Sequence, residues 1–147
     1  MRWHTARKAA AECGIRARRI GPFPDTLAGG RVSAVAFGDK PTTGVIGYND
    51  LMSIGLMREL TRQGASVPDD VRVIGFDDIF DAALCSPSLT TVAAPLDLLG
   101  RAAVETPLAQ TSRRWAVAAR SAMLPADLVV RGSTGPRGAR PALSTAV

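Results

Sequence analysis

Two adjacent carboxylates, Asp77 and Asp78, follow the apolar run Val71–Phe76 and form the most site-like pair in the sequence. Beyond the end of a strand they could hold Mg²⁺, or one of them could accept hydrogen bonds from ligand hydroxyls. The plainer alternative is that Asp78 caps the turn after it while Asp77 is merely solvated. Asn49 follows a second apolar run, Thr43–Tyr48, and its amide offers both a donor and an acceptor. An amide and a carboxylate on one rim suit a polyhydroxylated ligand better than they suit hydrolysis. Other chemistry finds little material. The single histidine, His4, has no plausible nucleophile partner, and Cys13 and Cys85 lack metal or redox spacing. No G-x-G-x-x-G follows a strand, and there is no glycine loop ending in Lys-Ser/Thr. The reading is therefore no catalytic residue, no metal and no cofactor, with Asp77 and Asp78 the one pair from which a metal-dependent alternative could be built.

The elements that must position Asn49 and Asp77 run from Pro41 to Asp78. The order is strand, helix, strand, as in a parallel βαβ unit, whose ligands sit at strand carboxyl ends. Asn49 or Asp50 caps the helix and Gly64 closes it. At about 100° per residue, Met52, Ile54, Leu56, Met57 and Leu60 spread over about 200° of that helix. Arg58, Glu59, Arg62 and Gln63 gather on the remainder. One sheet needs an apolar stripe of only about 100°, so the helix asks for a second partner, either another helix of this chain or another chain.

Upstream, the pattern predicts a helix over Arg2–Cys13, a short strand over Ala17–Phe23 and a glycine-diluted helix over Thr26–Phe37. Downstream it predicts a helical turn or two at Ile79–Cys85, a strand at Leu89–Ala93 and a helix opened by Pro95. That last helix should break at Pro107 and give way to a polar loop, Gln110–Arg114. An extended pair, Ser121–Leu124 and Asp127–Arg131, follows, and the Gly/Pro/Ser/Thr-rich stretch 132–147 reads as a disordered tail. Alternating helices and strands point to an α/β doubly wound sheet.

With 147 residues, 46% of them hydrophobic, the chain can bury one domain's core. A net charge of +5 does not by itself indicate nucleic acid. The basic residues, all arginine except Lys8 and Lys40, are scattered and form no recognition helix or basic arm. No apolar run has transmembrane length, no secretory signal opens the chain, and two isolated thiols fit a reducing compartment, which together point to the cytoplasm.

PTTGVIGYNDLMSIGLMRELTRQGASVPDDVRVIGFDD, followed by LCSPSLTTVAAPLDLLGRAAVE and LPADLVVRGST, resembles the carboxyl-terminal half of the effector-binding region of the LacI/GalR family of bacterial transcription regulators. The likeness runs from Arg2 to Thr134. It implies a periplasmic-binding-protein-like fold of type I, here one lobe plus a piece of the other, with a sugar-like or other small-molecule effector in the cleft. It also implies that Asn49, Asp77, Phe23 and Arg2 contact that effector: an amide, a carboxylate, a flat apolar face and a guanidinium fork. A homodimer is implied too, formed through the helix after Asn49 and the turn after Asp78, with Ile54, Leu84 and Cys85 at the interface. Residues 1–131 would be the sensor region, with 95–114 belonging to the other lobe.

The expectation is thus the effector-sensing part of a LacI-type regulator, not an enzyme, lacking the helix-turn-helix headpiece through which the intact protein would meet operator DNA. By the same likeness the chain is a fragment, expected to be only marginally folded alone. The alternatives are a transport-type solute-binding module on the same fold, or an α/β enzyme using Asp77 and Asp78 with a metal.

Overall fold

The computed structural model describes residues 2–37, 42–111 and 125–135. Helix α1 (Arg2–Glu12) comes first, and an irregular stretch leads to α2 (Leu27–Val35). Strand β1 (Gly44–Ile46), helix α3 (Asp50–Arg62) and strand β2 (Arg72–Phe76) form the βαβ unit. Short α4 (Phe80–Leu84), β3 (Thr90–Ala93), α5 (Leu96–Thr111), β4 (Asp127–Val129) and a 3₁₀ turn (Gly132–Thr134) complete the order. The sheet runs β1-β2-β3-β4; the first two pairings are parallel and β3–β4 is antiparallel. Because Ile46 pairs with Ile74 and Phe76 with Val92, β1, β2 and β3 end along one edge, carrying Asn49 and Asp77 with them.

Helix α3 forms where the sequence places it. Asn49 accepts a hydrogen bond from the Met52 amide at 2.8 Å, satisfying one of the open donors of the first turn. Gly64 takes φ +89 just past the far end, a conformation costly for any residue with a side chain. The helix buries Ile54, Leu56, Met57 and Leu60 against Val73, Leu89, Ala82 and Ala34. Burial of each large aliphatic side chain is worth about 1.5–3 kcal/mol.

The wide apolar arc finds its second partner inside the chain, in α2. A methyl group on Gly30 would collide with the Met52 carbonyl, and one on Gly55 with the Leu27 carbonyl. The two helices therefore approach at backbone contact, and the glycines that seemed to dilute α2 are what permit it. Glu59, expected on the solvent side, is instead almost fully buried at this seam. Arg62 and Gln63 hydrogen-bond it, and Arg31 of α2 lies 3.8 Å away. These partners hold its carboxyl down at about 2.

Three further expectations are corrected. Ala17–Phe23 forms no strand; it is irregular and has no ladder partner among the described residues, and a strand without one leaves its backbone groups to water. Helix α5 continues through Pro107 and takes in Gln110 and Thr111. One proline removes a single donor, and the Leu-Ala-Gln after it are good helix formers. The predicted tail does not begin at 132. Ser133 is fully buried, donating to the Val73 carbonyl at 2.6 Å and accepting from the Thr90 amide at 2.8 Å. The Thr134 and Thr90 hydroxyls meet at 2.6 Å. Short polar side chains that read as solvated thus satisfy backbone groups of β2 and β3. Residues 112–124, including the rest of the polar loop and the predicted Ser121–Leu124 strand, lie outside the described residues, as do 136–147. No described helix is long and apolar enough to cross a membrane.

Candidate ligand-binding cleft at the carboxyl edge of the sheet

Asp77 stands exposed just past β2 with φ +109, and Asp78 follows at φ +54. Such conformations cost of order 1–3 kcal/mol each and persist where the surroundings over-determine them. Partial burial pushes the Asp77 carboxyl up, the nearby Asp50 carboxylate pushes the same way, and the Arg2 guanidinium pulls it down. An open cleft of about 390 Å³ lies between Asp77 and Asp78 on one side and residues 93–98 on the other.

Arg2 reaches the same edge. Its Nη1 donates to the Tyr48 carbonyl at 2.9 Å, and its guanidinium sits 4.3 Å from the Tyr48 ring centroid and 4.6 Å from that of Phe76. Held between two rings, the fork is pre-oriented and keeps donors to spare. Asn49 is partly committed: Oδ1 caps α3, and Nδ2 donates to the Asp25 carbonyl at 3.0 Å. Each end keeps one further hydrogen-bonding position. The Asn49–Asp25 bond also brings the segment carrying Phe23, which is half-buried, toward the carboxyl end of β1. Of the four expected contact residues, Asp77 lines the cleft, Arg2 lies within its electrostatic reach, and Asn49 and Phe23 belong to the neighbouring strand end.

Behind this rim is a group that sequence reasoning missed. The Asp50 carboxylate is fully buried, accepting from the Thr91 hydroxyl at 2.6 Å and from the Ile79 amide at 2.9 Å. It sits in the first turn of α3, where the helix dipole favours a negative charge. Gly75 leaves it room, since a methyl there would strike Asp50 Oδ1. Asp78 is neither a helix cap nor a free ligand. Its Oδ1 accepts from Arg131 Nη2 at 2.7 Å, and α4 starts without a side-chain cap. No group of three His, Cys, Asp or Glu able to hold a metal occurs among the described residues.

Comparison with known proteins decides the family. Residues 1–134 match the model of the periplasmic binding protein-like domain. The chain is 40% identical over 109 residues to the HTH-type transcriptional regulator MalR of Streptomyces coelicolor, covering 74% of this chain and 31% of that one. It superposes with TM-score 0.79 and 34% identity on a LacI family regulator from Arthrobacter sp. FB24 in complex with lactose, covering 90% of this chain and 50% of the other. It superposes with TM-score 0.75 and 26% identity on the Lac repressor dimer bound to operator, covering 90% and 39%. The chain belongs to the periplasmic binding protein-like family, in its LacI/GalR branch. It spans about a third of the length of MalR and half that of the Arthrobacter structure.

For a LacI/GalR chain the expected interface trio does not form one surface. Ile54 is 2% exposed, packed inside the chain's own core, so it has no area to offer a second subunit. Cys85 is half-buried, its thiol donating to the Ala82 and Pro87 carbonyls, and burial pushes that thiol up. Leu84 is 65% exposed, and Phe80 on the same short helix is 78% exposed. Phe80 carried no signal, because in five residues helical periodicity cannot show which face is open.

Proposed function

We propose that this chain is the effector-sensing part of a LacI/GalR-type transcriptional regulator and that it holds a sugar-like, hydroxyl-rich small molecule at the carboxyl edge of its sheet. One observation carries the reading. Asp77 is exposed at the strand end in a strained conformation, lines the open cleft, and has the guanidinium of Arg2 within electrostatic reach. A carboxylate accepts from adjacent hydroxyls, a guanidinium donates to ring or hydroxyl oxygens, and Phe23 offers a flat face for the apolar side of a sugar ring. Asn49 adds its spare donor and acceptor. The lactose in the Arthrobacter relative supports a sugar, and the name of MalR supports regulation over transport.

In the intact cytoplasmic regulator, effector binding shifts the balance between lobe arrangements and so changes operator affinity through an amino-terminal headpiece. The protein works as a homodimer, for which α4, with exposed Phe80 and Leu84, supplies the apolar contact. The relatives named here are regulators, and the reading needs no catalytic step. Calorimetric titration of the chain with mono- and disaccharides, lactose and maltose included, tests the proposal. Binding of one of them, lost in Asp77→Asn and weakened in Arg2→Met, is the expected result. Saccharide binding indifferent to Asp77→Asn overturns the assignment.

A further inference from the structure

The turn that carries Asp77 is pinned amide by amide. Asp77 N donates to the Val92 carbonyl at 3.0 Å, Asp78 N to Thr91 Oγ1 at 3.3 Å, and Ile79 N to Asp50 Oδ2 at 2.9 Å. Two of these acceptors are side chains, and they hydrogen-bond each other at 2.6 Å. Three successive donors, each given a specific acceptor, account for the left-handed values at Asp77 and Asp78.

A fourth pin comes from a distant part of the chain. Arg131, just past β4, holds Asp78 Oδ1 through Nη2 at 2.7 Å. The same guanidinium donates through Nη1 to the Leu89 carbonyl at 2.9 Å. The Arg131 backbone is registered on the sheet as well. Its amide donates to Thr90 Oγ1 at 2.8 Å, and its carbonyl accepts from that hydroxyl at 3.1 Å. Ser133 and Thr134 continue the seat on Val73 and Thr90. One residue therefore reads the position of the segment after β4 and sets the turn at the cleft. The pair is mostly shielded from water, with side-chain exposures of 19% and 29%. At that exposure a charge-assisted hydrogen bond keeps more of its strength than at the surface.

We propose that Arg131 and Asp78 are positioning residues for the cleft: their pairing fixes the turn that presents Asp77 and couples that presentation to the seating of residues 131–134 on the sheet. The proposal rests on reading Asp77 as the effector-contacting carboxylate. By linkage the coupling is reciprocal. A ligand that fixes Asp77 favours the seated segment, and lifting the segment releases Asp77.

The test needs no ligand. In the isotope-labelled 147-residue chain, the amide-to-alpha-proton couplings of Asp77 and Asp78, read together with their intraresidue amide-to-alpha NOE, which is strongest at positive φ, report whether φ is left-handed. They are measured beside the urea midpoint in the wild type, Arg131→Lys, Arg131→Met and Asp78→Asn. The expected result is loss of the left-handed signature at both aspartates in Arg131→Met and Asp78→Asn, with partial recovery in Arg131→Lys, which keeps the charge but not the planar fork that serves Asp78 and Leu89 together. A lowered urea midpoint with unchanged couplings in either Arg131→Met or Asp78→Asn means a merely structural pin and overturns the proposal. Asp78→Asn keeps the side-chain shape, so it remains readable if Arg131→Met fails to fold. The saccharide titration with Asp77→Asn separately decides whether Asp77 meets the effector, so failure of one reading is distinguishable from failure of the other.

Discussion

Helices α3 and α5 are both rich in aliphatic residues, yet one is largely buried and the other is open to solvent. Ile54, Leu56 and Met57 of α3 are at most 3% exposed, whereas Leu96, Leu99 and Val104 of α5 are 64%, 53% and 61% exposed. Composition does not separate them; partners do. Helix α3 has β2 beneath it and α2 beside it, admitted by Gly30 and Gly55. A methyl on Gly100 of α5 would meet nothing within 4 Å. The exposed face of α5 is what the assignment of residues 95–114 to a second lobe would require.

The contrast can be broken most directly at the glycines. Gly30→Leu should destabilise the chain by about 3 kcal/mol or more, because a side chain there must push α2 off the Met52 carbonyl. Gly100→Ala should be neutral or stabilising by up to about 1 kcal/mol, since only backbone entropy changes. Equal urea midpoints for the two variants would mean that the α2–α3 crossing is not close-packed. A milder pair is Ile54→Ala, expected to cost about 2–5 kcal/mol through a core cavity, against Leu99→Ala, expected within about 0.5 kcal/mol. Smaller again is Ser133→Ala, which leaves the Val73 carbonyl and the Thr90 amide unpaired and should cost about 1–3 kcal/mol. Amide exchange at Thr90 should quicken in that variant.

The last prediction concerns pH. Arg62 and Gln63 lower the folded Glu59 carboxyl from 4.5 to about 2, so the folded state binds its proton less tightly than the unfolded state. The stability this gives is fully present above pH 4.5 and is lost as pH falls toward 2. Glu59→Gln should flatten the urea midpoint over that window. Asp77 acts in the opposite sense, because its folded carboxyl is raised. Asp77→Asn should therefore gain stability above the ordinary Asp range while losing effector binding, the trade expected of a strained functional residue. An unchanged midpoint in Asp77→Asn at neutral pH would remove the stability half of that prediction.

Local signals carried much of this molecule. Asn49 as a helix cap, Gly64 as a helix end and Asp77 at a strand terminus are each written within a few residues, because capping and turn chemistry act over that range. Family likeness added Arg2, whose distance from β1 in sequence hides its contact with Tyr48. What escaped was set by contacts between distant residues. Ser133, in a stretch that composition marks as unstructured, is a buried bridge between β2 and β3. Asp78 looked like a cap and is paired with Arg131, and Ile54 looked like an interface residue and is core.

The amino-acid order alone determined the βαβ unit and the edge that carries Asn49 and Asp77, because helix periodicity, caps and strand ends are encoded next to one another. Only the tertiary structure decided which apolar faces are spent. The arc of α3 is closed by α2 at glycine contacts, while the arc of α5 stays open. It also decided how Asp77 is aimed, since the acceptors that hold its turn come from α3 and β3 and the donor that holds Asp78 comes from the segment after β4. Hydrophobic faces and polar side chains announce a need for partners from sequence, but which partner meets that need is a matter of distance in three dimensions.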